Sequence, residues 1–196
     1  MNMDSCFVDI VTEFLGVAFH CILYHTSIYP KSIFETRKKY NIVVFRSRHP
    51  EVNQYIDLCL KNVSECLKLG NLKRVEFAVT DNAYKPVLRF VFDFDQLASY
   101  NDTTDAYLVA TEQNLRGFCL RLAASSEKFI KIAEDGSFTI YIHTNESSAI
   151  AMASNPDLED FPLVEVEEKV NESSNILPIR RFSVRNYNID TYVEMS

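Results

Sequence analysis

Apolar positions recur at helical spacing near the start of the chain, where Phe7, Ile10, Val11, Phe14, Ala18, Cys21 and Ile22 share one face of a helix predicted over about residues 4–26. Gly16 costs that helix a little propensity. A second helix is predicted from Pro50 to Leu69, with Val52, Tyr55, Ile56, Cys59, Val63, Cys66 and Leu67 on its inward face. Pro50 suits the first helical position, Glu51 complements the N-terminal end of the dipole, and Gly70 follows as a stop signal. The intervening residues 29–49 read as a basic loop: Pro30 ends the first helix, and Arg37, Lys38, Lys39, Arg46 and Arg48 crowd the segment. The period then changes to two. Val75, Phe77 and Val79 alternate with polar residues, Asp81-Asn82 marks a turn, and Leu88, Phe90, Phe92 and Phe94 continue the alternation, which predicts an antiparallel hairpin with one buried face.

A third helix is predicted over about residues 104–126, with Leu108, Thr111, Leu115, Phe118, Cys119 and Leu122 inward and Arg116 projecting to one side, free to meet a partner. After Asp135-Gly136 a further strand sets Phe138, Ile140 and Ile142 on one face and Thr139, Tyr141 and His143 on the other. Beyond it the pattern weakens to short strand-like runs separated by Pro156, Pro162 and Pro178, with a weak turn near residues 147–153. Residues 145–196 carry ten Asp and Glu against four Lys and Arg, which is most of the formal net charge of -7. A tail of this kind adds edge strands to a sheet while burying too little to be rigid alone, and reads as a movable flap.

With 196 residues and 47% hydrophobic content, the chain holds enough apolar material for one substantial core, and one domain is expected. The net negative charge opposes the basic footprint that phosphate neutralisation requires, so no tight, direct nucleic-acid binding is expected. Five cysteines, odd in number and without a CxxC pair, suit a reducing intracellular compartment. The apolar run over residues 7–24 contains Asp9, Glu13 and His20 and has no basic segment before it, which favours a buried helix over a membrane span or signal peptide.

Candidate chemistry is sparse. His20, His25, His49 and His143 fall in no metal-ligand or Cys-His spacing, and the four glycines of the chain form no phosphate-cradling loop. No catalytic residue, metal or cofactor is assigned. Asp93 and Asp95 share a strand face and keep a small hydrolase open as an alternative, although alternation with phenylalanines makes that face the solvated one. The basic stretch around Arg37-Lys38-Lys39 reads as a solvated loop or a contact for an acidic protein ahead of a DNA contact.

Several short motifs carry a more specific message. These are Tyr29-Pro30, Ile33-Phe34, Arg37-Lys38-Lys39-Tyr40-Asn41 and His49-Pro50-Glu51-Val52-Asn53-Gln54-Tyr55-Ile56, followed by Glu13-Phe14-Leu15, Leu115-Arg116, His143-Thr144, Asp160-Phe161-Pro162, Leu177-Pro178 and Tyr192-Val193-Glu194. In order and spacing they resemble the HORMA-domain family, in its Mad2B-like branch that serves as accessory subunit of DNA polymerase zeta. The resemblance implies an α+β fold of three main helices on an antiparallel sheet, a core over about residues 4–143, and a mobile C-terminal "safety belt" over about residues 144–196. It implies a non-catalytic adaptor that clamps a peptide of the polymerase zeta catalytic subunit under the belt and bridges it to the C-terminal domain of the scaffold translesion polymerase.

Carried over by position, Tyr29, Tyr55 and Leu163 would line the peptide channel, Ile176, Asp190 and Tyr192 would meet the scaffold polymerase, and Arg116 would serve homodimer or HORMA heterodimer assembly. Two departures stand out: vertebrate relatives place a tryptophan where this chain has Leu163, and Asp190 replaces an amide residue. The resemblance further implies an AAA+ remodelling ATPase as partner and residence in the nucleus, with the cytoplasm left open. A spindle-checkpoint or meiotic HORMA adaptor is the alternative within the family.

Overall fold

The structure is a computed structural model that describes residues 5–97, 105–132, 135–144 and 175–196. Helix α1 (Ser5–Thr26) follows the predicted span and buries Phe7, Phe14, Leu15, Phe19, Ile22 and Leu23. It ends where the Thr26 hydroxyl donates to the Ile22 carbonyl at 2.8 Å and Ser27 turns into a left-handed conformation, before Pro30 is reached. Among the described residues, α1 is the helix long and apolar enough to cross a membrane, and its packing inside the core accounts for that hydropathy.

Residues 34–47 overturn the loop expected between the first two helices. After a single 3₁₀ turn (Lys31–Ile33), strands β1 (Phe34–Lys39) and β2 (Ile42–Ser47) form an antiparallel hairpin with Lys39 opposite Ile42. Tyr40 and Asn41 close it with φ of 51° and 58°, the left-handed pair that a tight two-residue turn requires. The β-branched run Ile42-Val43-Val44 carried the strand signal, and the five bases around it masked the alternation.

Helix α2 (Pro50–Leu69) has the predicted bounds, with Pro50 in its first turn. Gly70 caps it at φ 70°, and the Asn71 N–H reaches back to the Cys66 carbonyl at 3.1 Å. The main sheet comprises β3 (Leu72–Thr80), β4 (Pro86–Gln96), β5 (Ser137–Thr144), β6 (Asn175–Val184) and β7 (Tyr187–Met195) in the antiparallel order β5-β3-β4-β7-β6. Helix α3 (Asp105–Ser125) turns Thr111, Leu115, Phe118, Cys119 and Leu122 inward as expected, but Leu108 is half exposed and leaves that stripe.

Phe14 of α1 joins these layers. Its ring lies 6.2 Å from that of Phe92 on β4, 5.0 Å from Phe118 on α3 and 5.6 Å from Phe182 on β6, all edge to face. The C-terminal hairpin therefore enters the core directly: Ile179, Phe182, Val184, Tyr187, Ile189 and Val193 are buried. Thr191 seals an irregularity in β6 between Pro178 and Arg180, with its hydroxyl donating to the Arg180 carbonyl at 2.6 Å and accepting the Arg180 N–H at 3.0 Å. Leu163 and the turn expected near residues 147–153 lie outside the described residues.

Candidate partner-binding edge and surfaces

Two strand positions in the sheet are terminal, and they differ in what surrounds them. β6 closes one edge and is covered on its inner face by α3, whereas β5 pairs with β3 alone among the described residues. On β5, the Ile140 N–H does not enter the β3 ladder. It donates instead to the Tyr55 hydroxyl of α2 at 2.9 Å. Because backbone groups alternate in direction along a strand, Phe138, Ile140 and Ile142 turn their N–H and C=O groups toward the open edge.

Tyr55 thus caps one donor of an edge where an added strand would pair. Burial pushes its phenol well above the ordinary tyrosine range. Phe138 gathers the local aromatics: its ring stacks on Phe77 at 4.9 Å, meets Tyr55 at 5.5 Å and meets Tyr29 edge-on at 6.3 Å. Burial raises the Tyr29 phenol as well. Tyr29 and Tyr55, far apart in sequence, therefore converge on the first turn of the open edge. Phe138 is the member of this cluster that sequence reasoning treated only as a core position; its place in the alternation was the available signal.

The outward face of β3, β4 and β7 is polar. Arg74 lies opposite Asp93, and Asp93 lies opposite Asp190. The Arg74 Nε donates to Asp93 Oδ1 at 2.5 Å, while the Tyr192 hydroxyl donates to Asp93 Oδ2 at 3.0 Å. Glu76 sits beside them within 3.5 Å of Arg74, 3.3 Å of Arg89 and 3.4 Å of His143. Burial alone would raise its carboxyl, but His143, Arg89 and Arg74 together bring it below the usual carboxylate range. Ile176, exposed at 60%, pairs with Glu194 in the register and joins Asp190 and Tyr192 on this face. Asp93 is committed to Arg74 and Tyr192, so the Asp93 and Asp95 pair does not present two free carboxylates.

Arg116 is engaged, contrary to the free side chain expected. Its Nε donates to the Tyr40 carbonyl at 2.8 Å and its Nη2 lies 3.4 Å from Glu112, which fastens α3 to the β1-β2 turn. It stays about one-third exposed in a four-residue stripe with Leu108 and Leu120. On the adjoining side of α3, the Arg180 guanidinium from β6 donates to Asn114 Oδ1 at 2.9 Å and lies against Gly117, where a Cβ would come within 2.7 Å of it.

The histidines hold structural positions. His20 Nδ1 accepts the Ser47 N–H at 3.2 Å, and burial, aided by the Arg46 charge, lowers its pKa to about 4. His25 is lowered to about 4 by burial and by Lys31. No group of three or more potential metal ligands occurs among the described residues.

Three helices on one side of an antiparallel sheet, an edge strand β5 paired on one side alone among the described residues, and a C-terminal hairpin at the opposite edge define a HORMA-type fold. Residues 8–131 match the family described as HORMA domain, and the chain belongs to that family. The mitotic spindle assembly checkpoint protein MAD2B of human is 32% identical over 196 residues, covering 99% of this chain and 93% of its own. The DNA polymerase zeta processivity subunit of Schizosaccharomyces pombe is 33% identical over 119 residues, 55% of either chain. Among solved structures, a chain of the mitotic checkpoint complex matches with a TM-score of 0.83 at 17% identity, over 96% of this chain and 98% of its own. These relationships give the chain the role of a HORMA adaptor.

Proposed function

We propose that this chain is the adaptor subunit of translesion DNA polymerase zeta, capturing an extended peptide of the catalytic subunit at the open edge of β5 and bridging it to the C-terminal domain of the scaffold translesion polymerase. The Ile140 N–H to Tyr55 hydroxyl bond carries this reading, because it marks a sheet edge whose ladder groups are directed outward beside an aromatic cluster. Main-chain pairing would supply affinity, and Tyr29, Tyr55 and Leu163 would sort side chains. Strand order supports capture: β5 and β6, consecutive strands in the described chain, lie at opposite edges of the sheet.

On the outward face, Ile176, Asp190 and Tyr192 would receive the scaffold polymerase. Arg116, in its stripe with exposed Leu108 and Leu120, would serve homodimer or HORMA heterodimer contact, and an AAA+ ATPase would reopen the belt. Relatives named for zeta polymerase subunits in S. pombe and Drosophila melanogaster support the translesion role. The checkpoint name of the MAD2B relatives supports a second reading, in which the clamped peptide belongs to a cell-cycle regulator.

Calorimetry of the full chain against peptides tiled across the zeta catalytic subunit tests the first reading. One segment is expected to bind, with affinity reduced at least about tenfold in a Tyr55→Ala, Leu163→Ala double variant. Absence of binding to every segment would favour the checkpoint-type reading.

A further inference from the structure

The Arg74, Asp93 and Tyr192 side chains form one line across three neighbouring strands, β3, β4 and β7. Arg74 and Asp93 are directly opposite. Tyr192 is directly opposite Val91, two residues from Asp93, a diagonal separation of about 7–8 Å that a tyrosine can bridge. Both Asp93 oxygens are in use: Oδ1 accepts the Arg74 Nε at 2.5 Å, and Oδ2 accepts the Tyr192 hydroxyl at 3.0 Å and lies 3.3 Å from Arg74 Nη2. Beside this line, a hollow of about 370 Å³ is lined by Lys73, Arg74, Asp93, Asp95, His143 and Asp190.

We infer that Asp93, itself fixed by Arg74, is the positioning residue of the scaffold-polymerase surface, holding the Tyr192 ring across β4 so that a partner meets the ring rather than the hydroxyl. This rests on the reading of Tyr192 as a scaffold contact. A tyrosine on an outward strand face otherwise exchanges among staggered rotamers, and each ordering contact made before binding is one that binding need not supply. With its proton donated to Asp93, the phenol offers the partner its π face and edge. The complementary scaffold group is therefore an aliphatic side chain or a cation above the ring.

The test titrates the scaffold polymerase C-terminal domain into the full chain and its variants, and reads Tyr192 ring-flip rates by NMR in the wild type and the Asp93 variants. Tyr192→Ala is expected to weaken binding by about thirtyfold or more, as loss of an aromatic anchor does. Tyr192→Phe and Asp93→Ala are each expected to weaken it about three- to tenfold, the scale of one hydrogen bond, with the double variant no worse than either alone. Asp93→Asn still bonds the phenol through its amide and is expected to stay within about twofold of wild type. Ring flips are expected to be faster in Asp93→Ala and close to wild type in Asp93→Asn.

Wild-type affinity in Asp93→Ala, independent losses that multiply in the double variant, or unchanged ring flips would overturn the positioning role alone. Undiminished binding in Tyr192→Ala would sink the scaffold reading and the inference with it. The catalytic-subunit peptide, bound at the other edge, serves as the fold control and is expected to bind every variant equally.

Discussion

Tyr55 shows how one hydroxyl acquires meaning from a residue 85 positions away. In the sequence it is an inward position of α2. In the structure its oxygen occupies the donor of Ile140 at the sheet edge. Tyr55→Phe is expected to cost about 1 kcal/mol in urea denaturation, because the Ile140 N–H loses its partner, yet to bind peptide better than Tyr55→Ala because the ring still packs on Phe138. Gly117 depends equally on a distant residue. Gly117→Ala would press a methyl against the Arg180 guanidinium, which must swing off Asn114, so the roughly 1 kcal/mol that alanine adds to a helix interior is expected to be largely cancelled in Gly117→Ala and recovered in the Gly117→Ala, Arg180→Ala double variant relative to Arg180→Ala, read by denaturant midpoints. His20 sets a pH dependence. Folded His20 stays neutral down to about pH 4 while the unfolded side chain protonates near the ordinary imidazole value of 6.5, so the unfolded chain binds the extra proton between them. Its stabilisation is complete above that upper value and declines as pH falls through the window, by up to about 3 kcal/mol. His20→Asn keeps an acceptor for the Ser47 N–H and is expected to reduce the difference in urea midpoint between pH 7 and pH 5, leaving the share that His25 sets over the same window.

At the scale of elements, helices were readable where the periodic face and the end signals agreed. α2 carries Pro50 at its start and Gly70 at its end, and both do in the structure what their backbone chemistry suggests. Gly70→Ala is expected to cost about 1 kcal/mol by thermal melting, since an alanine must adopt φ 70° there. The β1-β2 hairpin was not readable. Its turn uses Tyr40 and Asn41 rather than glycine, and exposed Arg37, Lys38 and Arg46 fill its strands where an apolar alternation would be read. Leu108 left its predicted stripe because α3 meets the body mainly through α1 and β6, over its central and later turns. The last two strands looked weak for a related reason: Pro178 and the irregularity before Arg180 break the alternation of β6, and only pairing with β7 restores it.

For the molecule as a whole, the expected behaviour follows from the position of β5, which among the described residues pairs with β3 alone. Hydrogen exchange is expected to slow at the amides of Phe138 and Ile142 when the catalytic-subunit peptide binds, with little change in β7, because strand addition protects outward ladder groups at β5 alone. Protection confined to α3 would instead place the peptide elsewhere. Local periodicity, proline and glycine chemistry were enough to place three helices, the β3-β4 hairpin and β5, since each of these signals acts within a few residues. The family motifs brought Tyr29, Tyr55, Arg116, Ile176, Asp190 and Tyr192 to notice. Sequence could not show that Tyr29 and Tyr55 meet on Phe138, that Arg116 is tied to Tyr40, or that Asp93 serves Arg74 and Tyr192. Those pairings depend on strand order and register, and in this antiparallel sheet β4 takes β7 as its neighbour across the whole intervening chain. No local pattern encodes that choice; it is made when buried faces from distant segments close over one core.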